Sequence, residues 1–191
     1  MAETLSNMIP LGTVAPEFQL PDVVTADLVS LHDIKGEKGT VVMFICNHCP
    51  FVKHVIDEVV RVANDYRVLG FGFVAISSND VERYPEDHPD LMWKFARKHH
   101  FTFPYLYDRT QSVAWEYKAA CTPDFYLFDP DLKLVYRGQL DNSRPGNGIP
   151  LNGRDLREAL DALFNNLQVP GPQRPSLGCG IKWKYQGPSG N

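Results

Sequence analysis

The chain has 191 residues, of which 43% are hydrophobic and 22% are charged, as is usual for a soluble globular domain. Its formal net charge of -4 gives no electrostatic reason to expect binding to nucleic acid or to an anionic membrane surface. No apolar run approaches the ~20 residues of a membrane span, and the start of the chain lacks the basic and apolar regions of a signal peptide. With four widely spaced cysteines, these features predict a single domain, residues 1–191, in the reducing cytoplasm without structural disulfides.

Residues 1–39 are predicted to form an N-terminal extension built on a β-hairpin. Short alternating stretches around a turn in residues 11–31 favour the hairpin, and the glycines that follow favour a loop over residues 32–39. The apolar run at residues 41–45 comes next and is typical of a buried strand in a parallel sheet.

A helix is predicted to begin at Pro50, because proline is favoured at the first helical position and apolar residues recur at helical spacing over residues 52–63. Gly70 ends this helix, and residues 71–77 form a second apolar run that is typical of a buried strand. A strand, helix and strand in this order predict a right-handed βαβ unit with parallel strands.

The second half of the chain is predicted to contain shorter elements. Residues 78–90 are polar and contain two prolines, which favours a long exposed connection; such loops are often functional, with a solvated crossover as the alternative. The elements predicted after it are a helix over 89–99, a strand over 103–107, a helix over 111–117, a hairpin over 120–137 and an amphipathic helix over 154–167. Residues 168–191 are rich in proline and glycine and are predicted to be an irregular tail.

Cys46 and Cys49 lie between the first predicted strand and its helix. This position puts Cys49 at a helix N-terminus, where the helix dipole and unpaired backbone N–H groups favour a thiolate. A cysteine in such a position can have a pKa of about 3.5–7.5, against about 8.5 for a free thiol. Cys49 is therefore a candidate redox nucleophile; two small core cysteines are the structural alternative.

The order of elements resembles the thioredoxin fold, an α/β fold with a central mixed sheet flanked by helices. The opening Gly12-x-x-Ala15-Pro16-x-Phe18 is similar to that of the AhpC/TSA family, the peroxiredoxin-related branch of this superfamily. The motifs Cys-Asn-His-Cys-Pro, Cys-Thr-Pro-Asp-Phe and Gly-Cys-Gly-Ile-Lys-Trp-Lys resemble more specifically those of bacterial thiol–disulfide oxidoreductase-like proteins.

This resemblance implies that Cys49 is the nucleophile, since it aligns with the first active cysteine of thioredoxins and with the peroxidatic cysteine of peroxiredoxins. Cys46 is the preferred resolving cysteine. Cys121 and Cys179 are further candidates, Cys121 because the fold would bring it near Cys49, and Cys179 because the tail could either carry it to the site or bury it as an anchor.

The resemblance also implies a substrate groove at Thr122 and Pro123, with Pro123 as the cis-proline of the fold; a trans proline at the start of an edge strand is the alternative. His48 could supply a proton or stabilise the Cys49 thiolate, or be only a polar loop residue. Asp124 could line the groove or cap a turn.

The motifs and the family resemblance support three candidate functions. The first is a thiol–disulfide oxidoreductase that acts on a protein or small-molecule disulfide, uses a cellular thiol reductant and needs no cofactor. The second is an antioxidant thiol peroxidase; against it, Cys46 replaces the threonine of the peroxiredoxin motif, and Pro123 stands where peroxiredoxins have an arginine. The third is a zinc-binding or structural module with Cys46, His48, Cys49 and Cys121 as ligands, for which a single C-x-x-C is weak evidence. The sequence does not indicate an oligomeric state.

Overall fold

The computed structural model of the protein describes residues 3–184. In chain order, its elements are β1 (Glu3–Leu5), β2 (Gln19–Pro21), β3 (Leu28–Ser30), α1 (Leu31–Ile34), β4 (Gly39–Phe44), α2 (Pro50–Arg67), β5 (Phe71–Ser77), a 3-10 turn (Pro85–Asp87), α3 (Pro89–Lys98), β6 (Tyr105–Tyr107), α4 (Ser112–Glu116), β7 (Cys121–Thr122), β8 (Asp124–Phe128), β9 (Leu134–Gly138), α5 (Arg154–Phe164) and β10 (Leu177–Gly180). Within residues 3–184, no helix has the length and apolar character needed to cross a membrane.

A five-stranded mixed sheet forms the centre, in the order β6-β5-β4-β8-β9. The first three of these strands are parallel to one another, and β8 and β9 are antiparallel to their neighbours. This is a thioredoxin-like fold, as the sequence predicts. The predicted βαβ unit is confirmed as β4, α2 and β5, and the predicted hairpin as β2 and β3.

Strand β4 is buried on both faces, because its side chains alternate between two hydrophobic clusters. Val41 and Met43 pack in the cluster that includes α2, α3 and α5. Val42 and Phe44 pack in the other, which includes the β2–β3 hairpin, α1 and α4. The carboxyl end of this fully buried strand leads directly to Cys46 and Cys49.

A second, three-stranded sheet holds the C-terminal segment against the domain. Its order is β1-β10-β7, and both pairings are antiparallel. Cys179 lies opposite Thr122 in this sheet, and Gly180 lies opposite Cys121. Residue 178 must be glycine for this approach, because a Cβ there would overlap the carbonyl oxygen of Thr122.

Three local predictions are wrong. Residues 32–39 are not all loop, because Ser30 and Asp33 form a capping box that starts α1. The 78–90 segment is not fully exposed, since its Asn79 and Asp87 are buried. The tail is not wholly irregular, because it contains β10; its last residues, 185–191, lie outside the described part of the chain.

Candidate active site

Cys49 is the N-cap of α2, and Pro50 is the first residue of the helix, as the sequence predicts. The Cys49 side chain is fully buried. Its sulfur lies 3.2 Å from the carbonyl oxygen of Thr122 and 2.8 Å from the sulfur of Cys179. The Thr122–Pro123 peptide bond is cis, as the resemblance implies. The candidate nucleophile thus lies between the helix N-terminus, the segment before the cis-proline and β10.

Cys46 and Cys179 both approach this position, but in different ways. Cys179 is 3% exposed and is in direct contact with the Cys49 sulfur. Cys46 is fully buried, and its sulfur lies 3.3 Å from the Thr122 hydroxyl. All four cysteines are free thiols in the structure.

The three thiols near Thr122 differ sharply in pKa. A hydrogen bond from the adjacent Cys46 thiol makes the largest contribution to lowering the pKa of Cys49, whereas burial raises it. Further hydrogen bonds from Cys179 and the Val52 backbone add to the lowering, so that the pKa falls to about 5. Burial and the contact with Cys49 raise the pKa of Cys179 to about 12. Burial, the hydrogen bond with Cys49 and the nearby charge of Asp87 hold the pKa of Cys46 well above its ordinary value. Near neutral pH, Cys49 is therefore the thiolate, and both of its neighbours are thiols that can donate to it.

Asp87 lies beneath the turn that contains both cysteines. Its Oδ1 accepts hydrogen bonds from the backbone N–H groups of Asn47 (2.7 Å) and His48 (3.2 Å). Its Oδ2 accepts from Asn79 Nδ2 (2.7 Å) and contacts His48 Nδ1 (2.6 Å). Burial raises the pKa of Asp87, but these hydrogen bonds outweigh it and leave the pKa below its ordinary value. Asp87 is consequently an ionised carboxylate that fixes the shape of the turn.

Sequence reasoning did not select Asp87 or Asn79. The available signal was the polar 78–90 stretch itself, because long connections are often functional. The stretch could not be assigned on that basis, since its partners Asn47 and His48 lie about forty residues earlier in the chain.

Possible ligand atoms of Cys46, His48 and Asp87 lie within 4.8 Å of one another. A structural zinc site usually has four ligands. Both Asp87 oxygens already accept two hydrogen bonds each, so a metal would have to displace bonds that shape the turn. This donor set fits a hydrogen-bonded network better than a metal centre.

Cys121 and Asp124 lie on either side of the Thr122–Pro123 bond, and each has its own surroundings. The Cys121 sulfur has only distant contacts with the carbonyl oxygens of Pro123 (3.9 Å) and Ser176 (4.0 Å). Asp124 neither lines a groove nor caps a turn, because it is fully buried in an ion pair with Arg137, at 2.9 Å. Neither side chain hydrogen-bonds to Cys49.

The family model described as the AhpC/TSA family matches residues 11–137. The chain belongs to the AhpC/TSA family. No match is found among proteins of curated function.

Solved structures extend the similarity over nearly the whole chain. An uncharacterized conserved protein from Geobacillus kaustophilus is 60% identical over 96% of this chain and 97% of its own, with a TM-score of 0.95. A hypothetical protein from Sinorhizobium meliloti is 45% identical over 95% of this chain and 98% of its own, with a TM-score of 0.92. The thioredoxin domain of a thiol-disulfide oxidoreductase from Bacteroides vulgatus is 25% identical over 68% of this chain and 89% of its own, with a TM-score of 0.56.

Membership of the AhpC/TSA family and the oxidoreductase neighbour indicate redox thiol chemistry for this chain. The atoms around Cys49 are consistent with that chemistry, because the sulfur touches a second thiol and lies at a helix N-terminus.

Proposed function

We propose that this AhpC/TSA protein is a thiol–disulfide oxidoreductase in which Cys49 is the nucleophile and Cys179 is the resolving thiol. The observation that supports this proposal is the 2.8 Å contact between the two sulfurs. The thiolate attacks a disulfide more readily than the thiol does, and the pKa of Cys49 is lowered to about 5. Cys179 keeps its proton, with a pKa raised to about 12, until it has a disulfide to attack.

The reaction proceeds in two exchange steps. The Cys49 thiolate attacks one sulfur of the substrate disulfide, forms a mixed disulfide and releases the other sulfur as a thiolate, which takes a proton. Cys179 then loses its proton and attacks the Cys49 sulfur, which forms the Cys49–Cys179 disulfide and releases the second substrate thiol. Two electrons pass from the two cysteines to the substrate, and a cellular thiol reductant restores them.

The sequence favours Cys46 as the resolving cysteine, whereas the geometry favours Cys179. The Cys179 sulfur lies 2.8 Å from the Cys49 sulfur, whereas the Cys46 sulfur lies 3.3 Å from the Thr122 hydroxyl. The hydrogen bond from the Cys46 thiol to Cys49 lowers the Cys49 pKa. The nearby negative charge of Asp87 also disfavours ionisation of Cys46. We therefore assign Cys46 a hydrogen-bonding role toward the Cys49 thiolate.

Access to Cys49 requires motion, because the nucleophile is fully buried behind the strand that bears Cys179. Strand β10 pairs through only two residues with β7. Although β10 is the central strand of its sheet, it is short, and short segments with few pairings open at a lower free energy than the core of a domain. We infer that local opening of β10 admits the substrate and that reclosure returns Cys179 to the mixed disulfide.

Peptide mapping by mass spectrometry after oxidation with hydroxyethyl disulfide tests this assignment. We expect a Cys49–Cys179 disulfide in the wild type, no reaction for Cys49→Ser, and a stable mixed disulfide on Cys49 in Cys179→Ser. The matched variant Cys46→Ser should still form the Cys49–Cys179 disulfide. A mixed disulfide that accumulates in Cys46→Ser and not in Cys179→Ser would instead establish Cys46 as the resolving cysteine.

Thiol peroxidase activity is the second candidate function, and the same sulfur contact favours it. Hydrogen peroxide would oxidise the Cys49 thiolate to a sulfenic acid and release hydroxide, and Cys179 would condense with the sulfenic acid to give a disulfide and water. The sulfur of Cys49 touches a thiol and a carbonyl oxygen, which stabilise a polarised peroxide less well than a hydroxyl and an arginine. We expect slower oxidation of Cys49 by hydrogen peroxide than by hydroxyethyl disulfide at equal concentration, measured by stopped flow.

A further inference from the structure

His48, the residue that precedes the nucleophile, is held in one orientation. Its Nδ1 lies 2.6 Å from Asp87 Oδ2, and its ring stacks on Tyr84 with 5.7 Å between the ring centres. An ionised carboxylate only accepts hydrogen bonds, so the Nδ1 nitrogen carries a proton. The other nitrogen, Nε2, is buried and has no hydrogen-bond partner within residues 3–184. The ring therefore has one nitrogen fixed and one free to take or give a proton.

The carboxylate that orients His48 is itself fixed on every side. Besides the two backbone N–H groups of the cysteine turn, it accepts a hydrogen bond from Asn79. The Asn79 side-chain oxygen in turn accepts a hydrogen bond from the backbone N–H of Lys182, three residues after Cys179. One chain of hydrogen bonds thus joins the segment that bears the resolving thiol to the histidine that precedes the nucleophile.

Charged groups on three segments face His48. Asp87, from the 3-10 turn, raises the pKa of His48 through its hydrogen bond, against a lowering by burial. The charge of Lys182, from the segment after β10, lowers this pKa, and that of Cys49, at the start of α2, raises it. The net shift is upward from 6.5. Between the Cys49 pKa of about 5 and the raised His48 pKa, the histidine therefore holds its proton while Cys49 is ionised.

We propose that His48, oriented by Asp87, is the proton carrier of the exchange reaction: it gives the Nε2 proton to the thiolate that leaves the substrate and then takes the proton of Cys179. This inference rests on the proposed function and adds a role for two residues that do not exchange sulfur. Asp87 acts as a positioning residue, because it holds the Nδ1 proton and leaves Nε2 for transfer.

The protons balance over the two steps. In the first, the S–S bond of the substrate breaks, its electron pair stays on the departing sulfur, and the His48 Nε2 proton moves to that sulfur. In the second, neutral His48 accepts the proton of Cys179 as the Cys49–Cys179 bond forms. The second substrate sulfur leaves as a thiolate and receives the same proton, which returns His48 to the neutral state until it is protonated from solvent.

The leaving group provides the test. A proton donor matters most when the departing thiol is basic and hardly at all when it is acidic, because an acidic thiol leaves readily as a thiolate. The experiment compares single-turnover oxidation of the reduced protein by two disulfides. Hydroxyethyl disulfide releases a basic thiol, and dithiobis(nitrobenzoic acid) releases an acidic one. For His48→Gln, we expect a rate loss of about 100-fold with the first and little change with the second.

The pH profile and a matched variant complete the experiment. With hydroxyethyl disulfide, the wild-type rate should fall as pH rises through the His48 pKa, above 6.5, and this limb should be absent in His48→Gln. Asp87→Asn should show the same selective loss. His88→Gln, which changes an exposed histidine next to Asp87, should behave as the wild type.

Equal slowing of both disulfides by His48→Gln would overturn the proton-carrier role and indicate a structural one. Should Asp87→Asn fail to fold, the comparison of the two disulfides in His48→Gln still decides the question. The proposed function fails separately, if the wild type exchanges with neither disulfide or if Cys49→Ser retains its rate.

Discussion

Cys49 and Cys121 are both fully buried cysteines next to the Thr122–Pro123 segment, and their pKa values move in opposite directions. At Cys121, burial and the charge of Asp124 raise the pKa far above its ordinary value. At Cys49, thiol and backbone donors outweigh the same burial and bring the pKa to about 5. Hydrogen-bond donors, and not exposure, decide which buried thiol ionises.

The two neighbouring carboxylates repeat this contrast. Asp87 accepts four hydrogen bonds and has a lowered pKa. Asp124 is paired with Arg137 and accepts the Tyr126 hydroxyl, yet its Oδ1 has no partner within residues 3–184, and burial raises its pKa to about 6. Protein hydrogen-bond donors thus stabilise the anionic forms of Cys49 and Asp87, whereas Cys121 and Asp124 have too few donors to offset their burial. This difference agrees with the proposed assignment of Cys49, and not Cys121, as the nucleophile.

The largest effect should come from breaking the ion pair near Cys121. Asp124→Ala leaves the buried Arg137 guanidinium without its carboxylate, so we expect the free energy of unfolding to fall by about 3–5 kcal/mol. Urea denaturation measures this loss. The double variant Asp124→Leu with Arg137→Met removes both charges and should recover most of the stability. A loss below about 1 kcal/mol in the single variant would place the pair in an environment as well solvated as a surface salt bridge.

The next effect should come from separating the two sulfurs. A Cβ at residue 178 overlaps the Thr122 carbonyl, so Gly178→Ala must move β10 away from β7. We expect formation of the Cys49–Cys179 disulfide to slow by about 100-fold, because small displacements of reacting atoms are costly. Alkylation of Cys49 should become faster as the strand uncovers it.

Gly180→Ala is the matched control on the other side of Cys179. Its Cβ would lie 3.0 Å from the Thr4 hydroxyl, which belongs to a side chain that can rotate away. We expect a much smaller change in the rate of disulfide formation. Equal effects of the two substitutions would show that the rate of disulfide formation does not depend on the close contact between residue 178 and the Thr122 carbonyl.

A smaller effect should follow from removing one donor to the thiolate. Cys46→Ala removes the group that lowers the Cys49 pKa most, so we expect this pKa to rise by about one unit. Cys46→Ser keeps a donor in the same place and should leave the pKa near its wild-type value. Ultraviolet absorbance of the thiolate, followed against pH, measures both. An unchanged pKa in Cys46→Ala would assign the ionisation to the helix N-terminus and Cys179 alone.

The local part of this site could be predicted from the sequence. An apolar strand followed by Pro50 is enough to place Cys49 at a helix N-terminus, since both signals lie within a few residues of it. The fold and the cis state of the Thr122–Pro123 bond followed from the family resemblance and are confirmed.

The long-range part could not be predicted, because its determinants are distant in sequence. Strand β10 has a Gly-Cys-Gly core without an apolar pattern, and only its pairing with β1 and β7 defines it as a strand. Asp87 belongs to a polar segment that looks solvated until the donors of the cysteine turn surround it. In the sequence alone, Asp124 resembles a turn residue. Its ion-pair partner, Arg137, becomes its neighbour only through the pairing of strand β9.

The smallest effect should come from Cys121, whose sulfur has only weak contacts with two carbonyl oxygens. Unlike Cys179, this thiol makes no hydrogen bond to the Cys49 sulfur, and burial and Asp124 raise its pKa, so it is not positioned to attack the mixed disulfide. We expect Cys121→Ser to exchange with hydroxyethyl disulfide at the wild-type rate, in the same single-turnover assay. If this variant accumulated the mixed disulfide on Cys49, Cys121 would be the resolving cysteine, and the contrast between the two buried thiols would not govern the chemistry.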